Sequence, residues 1–383
     1  MKTKTAAIVG AGISGLYCAK ILSQNLHVTV FDKNHHIGGR IQTDKLDGFL
    51  LDHGFQVFQP AYSEGTRAFD YKGLELQYFS PGAKVRLGRD FYEVTDPFRK
   101  PSKFFETLCA PIGSLTDKLR ILKLRFVDPE DEALNELSTI QFLEEHGFSS
   151  EIISRFFRPF FSGVFLEREL NTPASFFAYL YRLFAVSEVA IPKKGMGQLA
   201  RQLADNSSFC LRLGELVDIN QLNSDYDFVI QAHNSWDSGA RQVTTDYFIS
   251  DSFKPSSPLL YLNGNSEGAI NHLAPISSVS KAYSPDGKSL LSVNLIEPYS
   301  KVHETHIKSQ LNDWFPGFRF EHLKRYEISR ALPIVDKLEV RSLHKDGIYY
   351  CGDGQIQPSI QGALISARQV AMEILGSIGL PSN

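Results

Sequence analysis

The sequence predicts an α/β fold, α+β overall, in which one lobe has a parallel sheet and an inserted lobe combines a mixed sheet with helices. The main evidence is a strand, glycine turn and helix pattern that occurs near residue 10 and again near residue 350. The 383 residues allow two lobes of about 150 residues each. The hydrophobic share of 43% is typical of a globular chain that buries a large core.

The first glycine turn lies between two predicted strands. Residues 5–9 (TAAIV) predict a buried strand, and residues 10–15 (GAGISG) lead into apolar residues with helical spacing. A second strand is predicted at residues 27–31 and is followed by Asp32. This order is typical of a dinucleotide-binding, Rossmann-like unit, because glycines let the backbone approach a pyrophosphate and the acid binds a ribose hydroxyl. The predicted cofactor contacts of this unit are Gly10, Gly12, Ile13, Ser14, Gly15, Asp32 and Lys33.

A second glycine pair, Gly38 and Gly39, precedes Arg40. Backbone amides and a guanidinium suit a further contact to a pyrophosphate, which an NAD site does not need. Gly39 and Arg40 are therefore predicted cofactor contacts. The alternatives are a glycine turn without a ligand at residues 10–15 and a solvated arginine at position 40.

The carboxyl-terminal end has a strand, a turn and a helix of its own. Residues 347–351 predict a strand and residues 352–354 a turn. Residues 358–375 predict a helix, because proline and serine at its start are favoured at helix amino ends. Asp353 either accepts hydrogen bonds from a ribityl hydroxyl or is an ordinary turn aspartate. The predicted cofactor contacts of this end are Gly352, Asp353, Ile360 and Gly362.

These motifs together resemble those of the flavin-containing amine oxidase superfamily, which includes protoporphyrinogen oxidases, phytoene desaturases, monoamine oxidases and carotenoid isomerases. The resemblance rests on GAGISGL at residues 10–16, GGRIQT at residues 38–43, and GIYYCGD and PSIQGAL near the carboxyl terminus. It implies that the chain binds FAD and that the amino end of the last helix lies near the flavin pyrimidine. Since Cys351 does not match the flavin-linked cysteine of monoamine oxidases, non-covalent FAD is expected.

The resemblance also implies further contacts and a division of the chain. Gly54 and Phe55 match the stretch that borders the isoalloxazine, and Val217 matches a strand whose backbone contacts the adenine. Lys281 is a candidate for the lysine that several amine-oxidising members hold near the flavin. The implied FAD-binding domain comprises residues 1–80, 192–245 and 325–383, and the implied substrate domain comprises residues 81–191 and 246–324.

The function that the resemblance implies is that of an FAD-dependent oxidoreductase, an oxidase or desaturase, which removes a hydride equivalent from a C–C or C–N bond. Aromatic residues at 156–165 and 176–184 favour a hydrophobic substrate, unless they are core residues of a helical lobe. An isomerase or mutase without net oxidation is an alternative, and so is an oxidase of a small amine. No catalytic residue is assigned, because the flavin carries the redox step.

Composition and residue spacing argue against several other partners. The 40 Lys and Arg residues against 43 Asp and Glu give a net charge of −3, so nucleic acid is not an expected partner. The 4 cysteines are scattered and the histidines lack metal-ligand spacing, which predicts no metal site and a reducing, cytoplasmic location. Basic and apolar residues alternate at 99–126, which indicates either peripheral membrane contact or a solvated helix face.

We therefore predict that the purified protein is yellow and releases one intact FAD per chain on heating or acidification. Absorbance spectra and chromatography of the released flavin check this prediction. A colourless preparation that takes up no FAD would contradict cofactor binding. Flavin that is released only as a peptide adduct would contradict the non-covalent attachment.

Overall fold

The computed structural model describes residues 4–205, 207–233, 239–338 and 341–380. Two main sheets and the helices that cover them confirm the predicted α/β fold class. The strands are β1 (Thr5–Val9), β2 (His27–Asp32), β3 (Thr43–Leu46), β4 (Phe49–Asp52), β5 (Gln77–Tyr78), β6 (Ala83–Leu87), β7 (Asp90–Val94), β8 (Ala190–Ile191), β9 (Cys210–Leu213), β10 (Phe228–Gln231), β11 (Ala240–Ser250), β12 (Leu260–Leu262), β13 (Ile270–Ala274), β14 (Ser289–Leu295), β15 (Glu321–Pro333), β16 (His344–Lys345) and β17 (Ile348–Tyr350). The helices are α1 (Ile13–Leu22), α2 (Gly65–Ala68), α3 (Tyr71–Leu74), α4 (Phe104–Cys109), α5 (Leu115–Leu124), α6 (Thr139–Glu145), α7 (Ser150–Ile152), α8 (Arg158–Phe165), α9 (Ala174–Val186), α10 (Gln198–Ala204), α11 (Ile219–Leu222), α12 (Ile276–Val279), α13 (Glu304–Trp314) and α14 (Ile360–Ser377).

Within the described residues, a six-stranded sheet has the strand order β16-β17-β10-β1-β2-β9. Neighbouring strands are parallel except β16, which runs antiparallel to β17. Ala6, Ala7 and Ile8 of β1 are fully buried, as expected for a central strand covered on both faces. Helices α1 and α14 pack against each other and bury Leu16 and Leu364. No helix of the described chain is long and apolar enough to span a bilayer.

The elements predicted near the two ends of the chain are confirmed with small shifts of their limits. The strand predicted at residues 5–9 is β1, and the strand predicted at 27–31 ends one residue later, at Asp32. The strand predicted at 347–351 is β17, and the helix predicted at 358–375 is α14. Local apolar patterns and helix-start residues were sufficient to find these elements.

The turn between β1 and α1 is too tight for side chains at two of its glycines. Gly10 has a φ of +119°, a backbone conformation that favours glycine. A Cβ on Gly15 would lie 1.9 Å from the carbonyl oxygen of Gly10. These two glycines therefore let α1 begin directly against the carboxyl end of β1.

A seven-stranded sheet in the described chain has the strand order β15-β11-β14-β13-β12-β6-β7. Its neighbouring strands are antiparallel except β12 and β6. Aromatic residues fill the core that includes Trp314 of α13, and the ring centroids of Phe253 and Phe315 lie 4.4 Å apart. A second ring-rich core lies among the helices α6 to α9, where Phe142 and Phe177 are fully buried.

The two sheets follow the predicted division of the chain only in part. All strands of the six-stranded sheet come from the segments predicted to bind FAD. Strand β11 of the seven-stranded sheet begins at Ala240, inside one of those segments, and β15 spans the predicted limit at residue 325. The division into an FAD-binding and a substrate domain stays a prediction, and these two long strands would connect the domains.

Asp52, at the end of β4, is a buried carboxylate that connects distant segments. One carboxylate oxygen accepts hydrogen bonds from Thr43 Oγ1 at 2.5 Å and Met196 N at 2.9 Å, and the other accepts from the hydroxyl of Tyr283 at 2.8 Å. The hydroxyl of Tyr247, on β11, donates to the main-chain carbonyl of Asp52 at 2.9 Å. Burial raises the pKa of Asp52 to about 6, although these hydrogen bonds oppose the rise. The carboxylate therefore joins the β3–β4 hairpin to the segment before α10 and to the turn at Tyr283, while the main-chain carbonyl of Asp52 joins it to β11 of the seven-stranded sheet.

This raised pKa predicts a pH-dependent contribution to stability. Because the folded protein holds the Asp52 proton more tightly than the unfolded chain, the wild-type free energy of unfolding should fall as the pH rises from about 4 to about 6. Asp52→Asn lacks this titration. Its stability relative to the wild type should therefore improve by up to about 3 kcal/mol between about pH 4 and pH 7. Urea denaturation at several pH values measures the difference, and a difference that is independent of pH would contradict the assignment.

Candidate functional site

The amino end of α1 opens onto a space bordered by backbone rather than by side chains. Gly12 is the N-cap of α1, and no side chain caps the helix there. A Cβ on Gly12 would meet no atom within 4 Å, whereas a Cβ on Gly39 would lie 3.3 Å from the Cα of Gly12. The amide of Gly38 donates to the carbonyl of Ala11 at 2.8 Å, which joins the two glycine turns. An uncapped helix amino end beside bare backbone fits a pyrophosphate.

The first residues of α1 and the end of β2 surround this space. Ile13 and Ser14, the first two residues of α1, are buried, and their amides belong to the first turn, whose N–H groups have no partner within the helix. Asp32 is buried, and its carboxylate accepts hydrogen bonds from Ala11 N at 2.8 Å and from Asn34 N at 2.8 Å. Asp32 therefore also stabilises the glycine turn, so an effect of its substitution on folding as well as on FAD is expected.

Arg40 and Asp353 form an ion pair that joins the two ends of the chain. The Nη2 of Arg40 lies 2.6 Å from Oδ1 of Asp353, which is 3% exposed. Arg40 also donates from Nη1 to the carbonyl of Ala331 at 2.7 Å. The amide of Gly352 donates to the hydroxyl of Ser366 at 2.9 Å, which fixes the turn before Asp353. Arg40 is thus a partly buried, paired residue beside the glycine turns, in contrast to the solvated arginine considered above.

The amino end of α14 is tightly packed against the loop that precedes it. Ser359 is its N-cap, and its hydroxyl accepts from the amide of Gly362 at 3.0 Å. A Cβ on Gly362 would lie 2.1 Å from the carbonyl oxygen of Gln357. Glycine at this position lets the preceding loop fold over the helix start, and Ile360 is the first helical residue.

Gly54 and Phe55 follow the β3–β4 hairpin. Gly54 has a φ of +91°, which favours glycine. The ring of Phe55 contacts Phe79, with centroids 6.0 Å apart, and His272, with centroids 5.2 Å apart. His272 is buried on β13, and burial lowers its pKa to about 4, so the imidazole is neutral at pH 7.

Two candidates, Val217 and Lys281, have a different local structure from the one that the sequence indicated. The prediction of a strand at Val217 is wrong. Strand β9 ends at Leu213, and the chain is irregular from there to Asp218, which caps α11. Val217 instead packs at the edge of a small core beside the six-stranded sheet. Lys281 is exposed on a short turn, and its neighbour Tyr283 points into the core.

A small cavity lies between the helices α8 and α9 and the segments before α14. Its lining is mostly apolar, and none of its lining residues is acidic. It is lined by Val164, Phe165, Thr172, Phe176, Arg241, Leu332, Pro333, Val335 and Pro358. The aromatic segments of the sequence therefore serve two purposes, since Phe165 and Phe176 border the cavity while Phe161 packs inside the ring-rich core.

A partly buried ion pair borders this cavity and was not found from the sequence. Arg241 Nη1 lies 2.8 Å from Oε2 of Glu167. The other oxygen of Glu167 accepts from the amide of Thr172 at 2.6 Å and from its hydroxyl at 2.5 Å. No local pattern links Arg241 with Glu167, because the two residues are far apart in the sequence and meet only through the fold.

The family model for flavin containing amine oxidoreductases matches residues 13–243, which is more than half of the chain. The chain belongs to this family. Membership implies a flavin cofactor, and the members are FAD-dependent oxidoreductases.

Individual relatives cover different parts of the chain. Protoporphyrinogen oxidase 2 of Arabidopsis thaliana is 31% identical over 169 residues, which are 42% of this chain and 32% of the plant enzyme. A 4,4'-diapophytoene desaturase of Staphylococcus haemolyticus is 34% identical over 103 residues, which are 23% of this chain and 21% of that protein. The chain thus matches about a third or less of these two enzymes. The crystal structure of an oxidoreductase from Methanosarcina mazei has the same fold, with a TM-score of 0.73, 17% identity and coverage of 96% of this chain and 99% of that chain.

Two glycines of the turn provide a matched test of the cofactor site. Gly12→Ala should change the free energy of unfolding by less than about 1 kcal/mol, because its φ of −78° is ordinary and its Cβ meets no neighbour. It should weaken FAD binding by roughly tenfold or more, because the methyl group occupies the phosphate space.

Gly15→Ala serves as the control variant, because its Cβ would clash with Gly10. It should lower the free energy of unfolding by more than about 2 kcal/mol. Thermal melts of the apoprotein and FAD titrations separate the two effects. Wild-type FAD affinity in Gly12→Ala would show that the phosphate does not bind at this helix end.

Proposed function

We propose that this chain is a cytoplasmic FAD-dependent oxidoreductase that removes a hydride equivalent from a C–C or C–N bond of an apolar small molecule. The FAD is held non-covalently. Cys351 supports this attachment, because its thiol is buried against Cys18, whose pKa is raised mainly by the hydrogen bond with Cys351. The bound flavin supplies the acceptor for the hydride equivalent.

The residues proposed to hold FAD are those of the two chain ends described above. The amides at the start of α1 and the guanidinium of Arg40 would bind the pyrophosphate, and Asp32 would accept from the ribose. Asp353, held by Arg40, would accept from the ribityl chain. Gly54 and Phe55 would border the isoalloxazine, while the amino end of α14 would stabilise negative charge on the pyrimidine.

The observation that supports the substrate class is the apolar lining beside Pro358, around a cavity of only about 10 Å³ that would have to widen to admit a substrate. It lies directly before the amino end of α14, which is the end proposed to face the flavin. Its walls include Val164, Phe165 and Phe176, which would exclude water from an apolar substrate. Aromatic and aliphatic walls favour a hydrophobic ligand.

A small amine is a poorer fit to the same cavity. An ammonium group needs a carboxylate or a similar acceptor, and no lining residue is acidic. The neighbouring acid, Glu167, already binds Arg241 and Thr172. These contacts favour an uncharged substrate over an amine.

Anaerobic stopped-flow reduction of the bound flavin tests the proposed reaction. A panel of polyenes, porphyrinogens and small amines is mixed with the protein, and the flavin absorbance is followed. Polyenes or porphyrinogens should bleach the flavin, and amines should not. Bleaching by amines alone would contradict the apolar substrate. Conversion of a compound in the panel to an isomer, with no net oxidation, would indicate an isomerase or a mutase instead.

Phe165 allows a test of the cavity itself. Phe165→Leu should raise the KM of the compound that reduces the flavin by roughly tenfold, because part of the apolar wall is lost. Phe142→Leu is the matched control, since Phe142 is fully buried in the same helical core and does not line the cavity. Both variants should lose less than about 1.5 kcal/mol of stability. Equal KM values in the two variants would place the substrate elsewhere.

A further inference from the structure

His272, on β13, has a buried ring nitrogen without a hydrogen-bond partner. The residue is 4% exposed, and within the described residues no atom accepts from or donates to its Nε2. Buried polar atoms in folded proteins are nearly always paired, because an unpaired one has given up its hydrogen bonds to water without replacement. The Nε2 of His272 is therefore a candidate contact for a ligand.

The neighbours of the ring determine which nitrogen carries the proton. Nδ2 of Asn271 lies 3.0 Å from the carbonyl oxygen of Pro159 and 3.0 Å from Nδ1 of His272. The carbonyl oxygen can only accept, so the side-chain amide of Asn271 turns its NH₂ group to both atoms, and Nδ1 accepts. Burial lowers the pKa of His272 to about 4, so the imidazole is neutral at pH 7 and has a single proton. That proton lies on Nε2, which makes Nε2 a hydrogen-bond donor.

Close packing holds this donor in one orientation. A Cβ on Gly163 would lie 2.6 Å from Cε1 and 2.7 Å from Nδ1 of His272, so α8 packs on this edge of the ring with no side chain between them. The ring of Phe55 lies on the imidazole with centroids 5.2 Å apart and an interplanar angle of 63°. The hydrogen bond from Asn271 fixes Nδ1. A fixed donor is suited to orienting a ligand, because no rotamer has to be selected when the ligand binds.

His272 lies between the two parts of the proposed reaction site. It contacts Phe55, which is proposed to border the isoalloxazine. It also packs on α8, whose residues Val164 and Phe165 line the apolar cavity. Apolar sites use a small number of well-placed polar groups to orient their ligands.

We propose that Nε2 of His272 donates a hydrogen bond to an uncharged acceptor atom of the ligand bound beside Phe55. The acceptor is a carbonyl oxygen or an unprotonated nitrogen, because a neutral imidazole offers a proton without a positive charge. The isoalloxazine of FAD has atoms of both kinds, and a substrate would need one such atom in an otherwise apolar molecule. The inference rests on the proposed function, which places the ligand beside Phe55.

Two substitutions of His272 separate the donor from the rest of the side chain. His272→Gln can place an amide N–H near the position of Nε2. His272→Asn is shorter and can replace only Nδ1, as the acceptor for Asn271. Both variants lose the ring, so their packing defects should be similar. His272→Gln should bind the ligand within about threefold of the wild type, and His272→Asn should bind it about tenfold more weakly, as expected for one lost hydrogen bond.

The measured quantity that changes identifies the acceptor. If the flavin is the acceptor, the Kd of FAD should rise about tenfold in His272→Asn and the absorbance maxima of the bound flavin should shift. If the substrate is the acceptor, the Kd of FAD should stay the same in both variants. The KM of the compound that reduces the flavin should then rise about tenfold in His272→Asn alone.

Trp314→Phe is the matched control. Nε1 of Trp314 is also a buried donor without a partner, but it lies in the core beside the seven-stranded sheet. Its removal should leave the Kd of FAD, the flavin spectrum and the KM at their wild-type values. Thermal melts of the FAD-loaded proteins show that each variant is folded.

The wild-type protein provides a test that needs no variant. Nuclear magnetic resonance of the FAD-loaded protein with ¹⁵N-labelled histidine should show a neutral His272 with its proton on Nε2 at pH 7. A proton on Nδ1 would overturn the inference.

The comparison of the two His272 variants gives the other decisive outcome. Equal FAD affinities, flavin spectra and KM values would overturn the inference, and would indicate that the ring of Phe55 is the partner of the N–H. If no compound reduces the flavin, equal FAD affinities and spectra suffice to overturn it. A wild-type protein that binds no FAD would contradict the proposed function and this inference together, so the two failures are distinguishable.

Discussion

The close approach of α1 to the end of β1 is the constraint on which the candidate site depends. It exists because Gly10 and Gly15 leave no side-chain atoms between the turn and the helix. The same approach brings the amide of Ala11 to Asp32 and lets the second glycine turn rest on Gly12. Arg40 then follows that second turn and reaches the carboxyl-terminal end of the chain. The close contact between the turn at Gly10 and the start of α1 thereby positions the residues proposed to bind the pyrophosphate, the ribose and the ribityl chain.

A second constraint holds the β3–β4 hairpin against the seven-stranded sheet. Asp52 is fully hydrogen bonded, and the cost of burying its charge is reduced but not removed by three donors. The two tyrosines that contact it, Tyr247 and Tyr283, lie on or beside the seven-stranded sheet. A separate ring-rich core lies within the helical lobe. Phe165, at its edge, takes part in both the core and the proposed cavity.

The sequence predicted those features that depend on neighbouring residues. Strands β1 and β2 and helices α1 and α14 follow from apolar spacing, glycine turns and helix caps within short windows. The ion pairs of Arg40 with Asp353 and Arg241 with Glu167 could not be predicted in this way, because each joins distant segments. Periodicity also could not tell that Phe161 faces the core while Phe165 borders the cavity, since both lie on α8 with buried side chains. The prediction of a strand at Val217 is wrong because the chain there leads into α11, whose N-cap is Asp218.

A crystal structure of the protein saturated with FAD tests the central claim most directly. The account predicts one FAD per chain, with its pyrophosphate oxygens about 3 Å from the amides at the start of α1. It also predicts the isoalloxazine beside Gly54 and Phe55, with its pyrimidine near the amino end of α14. FAD bound at another place, or a protein that crystallises without FAD under these conditions, would contradict the account.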